Sequence, residues 1–147
     1  MDVSATGDGR TVSVVRGVGF PTVHVGDYSA DGPAIRNVRR LTLDASTSFP
    51  HAWTQDSSAV IFESDRGGNN DLFRQNFDSR VAKLLVATPG EDFHANLTPD
   101  GRWLLFMQGP LGSHLPAAVA RAPVQGGTAE EVVIRSITTN VWSVEGL

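Results

Sequence analysis

One short turn recurs through the sequence, and its spacing limits the fold more than any other feature. "ATGDG" (5–9), "WTQDS" (53–57), "LTPDG" (97–101) and "WSVEG" (142–146) place an acidic residue at Asp8, Asp56, Asp100 and Glu145, at intervals of 48, 44 and 45 residues. A period near 45 with several short strands per unit is the pattern of a propeller blade. Each acidic turn is followed by an apolar run: "TVSVV", "AVIF" and "WLLFM". A polar or Gly/Pro turn comes next, then "TVHV", "DLF" or "AAVARA", a third turn, and a closing run, "RRLTL", "AKLLVA" or "EEVVI". With the strand that leads into the acidic turn, each unit holds four strands. The reading divides the chain into repeats 2–48, 49–92 and 93–138, with a fourth starting over 139–147.

The local chemistry agrees. Pro99-Asp100-Gly101 is a turn tripeptide: Pro fixes φ, Asp bonds nearby backbone and Gly accepts positive φ. Gln55-Asp56-Ser57 is a weaker version. "AVIF" and "WLLFM" are continuous apolar runs bounded by turns, as expected of strands buried on both faces. The 15 glycines and 8 prolines favour turn-rich β structure. Ala117–Ala122 is fenced by Pro116 and Pro123, which argues against a helix there. The expected fold is all-β, about three antiparallel four-stranded blades of an incomplete propeller.

The stretches "RRLT", "WTQDSSAVIFESDRGGNNDLF" and "LTPDGRWLLF" resemble the TolB-type, WD-repeat-like β-propeller repeat. Trp53, Thr54, Asp56, Ser64, Arg66, Gly68, Asp71, Leu72 and Phe73 sit on its pattern, as do Asp92, Thr98, Pro99, Asp100 and Gly101 in the next copy. The third copy lacks the Ser-x-Arg-x-Gly-x-x-Asp turn, and the first has "RGVGFP" in its place. The resemblance implies a binding module of a bacterial envelope protein, periplasmic or otherwise extracytoplasmic, or the sensor part of a larger receptor. Three repeats do not close a ring, so a piece of a longer protein or an unclosed wedge is expected. Such a wedge exposes apolar end faces and is expected to self-associate.

Composition narrows the partners. A net charge of −4 and an isoelectric point near 5.4 do not suggest a nucleic-acid surface. The basic "RNVRR" (36–40) reads as a solvated strand edge. The longest apolar run, Trp103–Met107, is too short to span a bilayer. With no cysteine, disulfides and thiolate metal sites are excluded.

The expected partner is a protein or peptide, bound at loops 44–50, 64–71 and 88–94 around the channel mouth. The candidate rim residues are His51, Asp65, Arg66, Asn69, Asn70, Asp92 and His94. Asp56, Pro99, Asp100 and Gly101 are read as structural. His51 and His94 lie on channel strands of adjacent units, where imidazole and carboxylate suit a divalent ion. Relative to Trp53 and Leu97, however, they sit two and three residues back, and a period of two sends them to opposite sides. They are therefore expected to be hydrogen-bonded channel residues, with no metal and no cofactor. "SDRGGNND" lacks the order of a calcium loop, and Arg66 is expected to pair with Asp71 or Asp65. There is no Gly-x-Ser-x-Gly elbow and no phosphate loop, so the chain is read as non-catalytic. The alternative is the propeller part of an enzyme, either a metal-dependent lyase or the gate of a prolyl oligopeptidase-like hydrolase.

Overall fold

The computed structural model describes residues 3–16, 19–29 and 34–133. Twelve strands and no helix occur among them, grouped in three four-stranded antiparallel sheets. Blade A contains β1 (Val3–Ala5), β2 (Thr11–Arg16), β3 (Thr22–Ser29) and β4 (Ala34–Arg40). Blade B contains β5 (Ser48–Trp53), β6 (Ala59–Ser64), β7 (Asp71–Asn76) and β8 (Lys83–Val86). Blade C contains β9 (Glu91–Leu97), β10 (Trp103–Gly109), β11 (Ala118–Pro123) and β12 (Glu130–Val133). Each blade runs in sequence order from edge to edge. The inner strands β1, β5 and β9 lie side by side, so the blades fan out from them.

Blade B explains why a continuous apolar run forms a strand here. Every residue of β6 is buried. Val60 and Phe62 face blade A, in a core with Val23, Val25, Leu41, Trp53 and Phe73. Ile61 faces blade C, in a core with Leu72, Leu104, Phe106, Ala120 and Ala122. The third unit's run is covered on one side only: in β10, Leu104 and Phe106 are buried while Leu105 is exposed. The basic segment falls in β4, whose seven residues are all exposed.

The acidic turns share one bonding scheme. In blade B, the Thr54 hydroxyl donates to Asp56 Oδ1 at 2.6 Å and accepts from the Ala59 amide at 3.0 Å, and Asp56 also accepts from the Ser58 amide at 3.1 Å. Thr6 with Asp8 and Thr98 with Asp100 repeat it. The threonine is a partner that the acidic period alone does not disclose. The Gly101 amide donates to the Thr98 carbonyl at 2.8 Å, which makes Thr98–Gly101 a β-turn with Pro99 at its second position. Gly9 and Gly101 both take φ 67°, and Ser57 takes φ 57° at the equivalent place. Glu145 of the fourth turn, with residues 139–147, lies outside the described residues.

One strand boundary differs from the sequence reading. The closing strand of the first unit is Ala34–Arg40, not the 39–43 of "RRLTL". Leu41 and Thr42 instead leave the ladder and pack inward. The Leu41 amide donates to the Val23 carbonyl at 2.8 Å, and the Thr42 hydroxyl accepts from the Val23 amide at 3.0 Å.

Two outcomes follow for the turns. Ser57→Gly relieves left-handed strain and should raise the unfolding free energy by about 1 kcal/mol. Asp56→Ala should lower the denaturation midpoint. The Thr54 hydroxyl bond, then the Ser58 bonds, hold the Asp56 carboxyl down at about 2. Its contribution is therefore present above pH 3.8 and is lost as pH falls toward 2. Urea melts of both variants at pH 7 and pH 3 check the directions.

Candidate functional site

The loops at one end of the blades are tied to one another, and they are the loops singled out from the sequence. The Thr47 amide donates to Asp65 Oδ1 at 2.9 Å. Asn69 Nδ2 donates to the Gly90 carbonyl. Glu91 accepts from the Asn70 amide at 2.9 Å and the Gly112 amide at 2.8 Å. The last contact adds the β10–β11 loop to the set, which the sequence reading had not included.

Arg66 pairs with Asp44 at 3.1 Å rather than with Asp65 or Asp71. Asp65 caps Thr47 instead, and Asp71 accepts from Asn69 Nδ2 at 3.2 Å. The Arg66 guanidinium lies over the Phe73 ring at 4.7 Å and the Phe62 ring at 5.0 Å, and its Nε donates to Ser64 Oγ at 3.1 Å. It closes the end of the A–B core and offers little to a partner.

Asp92 is also not a rim residue. It is fully buried, and its carboxylate accepts from the Thr88 amide at 2.9 Å, the Thr88 hydroxyl at 3.0 Å and Gln108 Nε2 at 3.1 Å. Asp65 is exposed, and Asn69 and Asn70 are half-buried. Exposed apolar side chains stand at the same end and were missed in the sequence: Phe20 and Leu43, which border one depression, and Leu111 and Leu115 in the β10–β11 loop. Phe20, Leu111 and Leu115 are each a large apolar residue inside a Gly/Pro turn, whereas Leu43 falls in the run read as a closing strand.

His51 and His94 come together. Their ring centroids are 5.6 Å apart, edge to face, so the expectation that they point to opposite sides fails. The reason is a β-bulge in each inner strand. Between β5 and β6 the register shifts from Pro50 to Ala52, so Pro50 and His51 oppose Phe62. Between β9 and β10, His94 and Ala95 oppose Phe106. A bulge breaks the two-residue alternation and re-aims side chains. His94 takes φ 54°, which is uncommon for a residue with a side chain. Pro50 is tolerated because β5 is an edge strand.

Glu63, at the end of β6, joins the two histidines. Its Oε2 lies 2.7 Å from His51 Nε2 and accepts from the His94 amide at 3.0 Å. Burial pushes the Glu63 carboxyl up. The bond and charge of His51, with the amide and charge of His94, outweigh it and hold the group below the usual carboxylate range. Glu63 is buried and His94 is exposed, so the group opens to solvent on one side.

Comparison with known proteins bears on the fold. No family model matches the chain. A curated protein of Agrobacterium fabrum, uncharacterized protein Atu1656, is 25% identical over 100 residues, which cover 68% of this chain and 33% of that one. The crystal structure of TolB from Acinetobacter baumannii is similar with a TM-score of 0.72 and 27% identity, over 88% of this chain and 31% of that one. A putative TolB from Agrobacterium tumefaciens gives a TM-score of 0.75 at 17% identity, over 87% of this chain and 47% of that one. A puromycin hydrolase gives 0.69 at 16% identity, over 89% of this chain and 21% of that one. The chain thus spans less than half the length of each of these proteins.

The crowding of acids at the loop end has a measurable consequence. Asp71 is buried, and desolvation, then the neighbouring Asp92 and Glu91 charges, push its carboxyl up from 3.8 to about 6. Between these values the folded state holds a proton that the unfolded chain has released. Stability therefore falls as pH rises through this window, and the penalty is fully present above pH 6. Asp71→Asn, which keeps an acceptor for Asn69, should be more stable than the parent at pH 7 by on the order of 1–3 kcal/mol. Melts of the two proteins should converge near pH 4.

The repeated turn, the stacked antiparallel blades and the solved structures agree: the chain folds as three blades of a TolB-like β-propeller.

Proposed function

We propose that the chain is a non-catalytic binding module that engages a protein or peptide partner at the loop end of its blades. The observation that carries this reading is the set of exposed apolar side chains, Phe20, Leu43, Leu111 and Leu115, on loops anchored by polar contacts. Exposed apolar groups rimmed by polar residues mark interaction surfaces. A rigid scaffold lets loops present them without an ordering cost on binding. Asp65, Asn69 and Asn70 supply the polar rim. The likeness to TolB at 27% identity favours a protein partner and an extracytoplasmic bacterial location. The likeness to puromycin hydrolase at 16% identity carries the fold alone and adds no hydrolytic role to this reading. No helix among the described residues is long and apolar enough to cross a membrane.

A photo-crosslinking residue placed at Leu115 or Leu111 of the full-length protein in its native host should capture a discrete protein band. The same residue at Gln125, at the opposite end of the blades, should not. Equal capture at both ends, or none at Leu111 and Leu115, would refute the loop-end assignment. Leu115→Asp should abolish capture while leaving the melt unchanged.

A further inference from the structure

We propose that His51, Glu63 and His94 form a binding site for a divalent transition-metal ion between blades B and C. Two imidazoles and one carboxylate form a ligand set used for zinc where one coordination position stays open. One ligand atom from each residue lies within 4.8 Å of the other two. Ligands around an ion at about 2.0–2.2 Å stand roughly 3.5 Å apart, so modest side-chain rotations bring all three onto one centre. Calcium and magnesium prefer all-oxygen shells, whereas imidazole selects the later first-row metals.

The supporting backbone is specific. The three side chains come from β5, β6 and β9 of two blades, so the cluster exists only when those blades are packed. Each histidine sits in a bulge, and His94 holds a left-handed backbone that a residue with a side chain adopts only at a cost. The Phe93 ring packs edge to face against the His94 imidazole at 5.3 Å and limits its rotation. Glu63 is 8% exposed, and its Oε2 lies 2.7 Å from His51 Nε2. A buried carboxylate facing two imidazoles is matched by a cation between them. The exposed side of His94 leaves room for water as a fourth ligand.

The test uses the full chain, stripped with chelator and then dialysed separately against zinc and manganese. Elemental analysis should find one zinc ion per chain, and zinc should raise the melting temperature. His94→Asn tolerates the left-handed backbone but removes the imidazole, and Glu63→Gln removes the charge but keeps an acceptor for the His94 amide. Each should weaken zinc binding at least tenfold by calorimetry and abolish the thermal shift. His114→Ala, an exposed histidine in the β10–β11 loop, should leave both unchanged. Lack of stoichiometric uptake by the parent chain would overturn the proposal, as would uptake that both variants retain or that His114→Ala removes. Should Glu63→Gln fail to fold, the parent titration and His94→Asn still decide.

Discussion

The structure depends on the burial of blade B from both sides. A strand such as β6, with Val60 and Phe62 on one face and Ile61 on the other, cannot be satisfied by a single covering layer. Fully burying one large apolar side chain contributes about 1.5–3 kcal/mol, and β6 with β7 supplies several on each face. The neighbouring sheets must therefore stack face to face against it. Twisted four-stranded sheets stacked this way draw their first strands together and let their last strands spread. The exposed β4 and the close approach of β1, β5 and β9 are two results of that one packing requirement.

That convergence brings polar side chains of the inner strands together. Each is an edge strand on its inner side, where a proline and a bulge are tolerated. Pro50 sits at the β5 bulge and the left-handed His94 at the β9 bulge. The bulges of β5 and β9 bring His51 and His94 together beside Glu63, near the end of β6. A glutamate near the end of a fully buried strand has no apolar packing rationale. Its contact with His51 and the hydrogen bond it accepts from the His94 amide satisfy its buried carboxylate.

Much of the architecture was legible because its signals are local. A Thr-x-Asp turn completes its bonding within six residues, so its copies survive as a readable period even where glycine gives way to Ser57. The continuous apolar run of β6 likewise announces burial on both faces. What could not be read depends on contacts between distant residues. Arg66 could be matched to a nearby acid by sequence distance, but its actual partner, Asp44, arrives from the preceding blade's linker. By sequence Asp92 reads as a rim residue because it lies in the 88–94 segment, yet it is fully buried and hydrogen-bonded by Thr88 and Gln108. The His51–His94 pairing was hidden because a bulge changes the side-chain period without changing the residue types around it.

The two ends of the blades are built differently. At the acidic-turn end, each Thr–Asp pair bonds inside its own hairpin and fixes only that hairpin. At the loop end, the ties cross between blades or between distant loops, and most of them join a side chain to backbone: Asp65 to the Thr47 amide, Asn69 to the Gly90 carbonyl, Glu91 to the Asn70 and Gly112 amides. Burial, and then the neighbouring Asp92 and Glu91 charges, raise Asp71, a cost of bringing those acids together in a desolvated place. Because their partners are backbone groups, these ties do not depend on the identity of the outward side chains. Phe20, Leu43, Leu111 and Leu115 can therefore be set by what they contact rather than by what holds the loops, and the rigid end becomes the surface free to specialise.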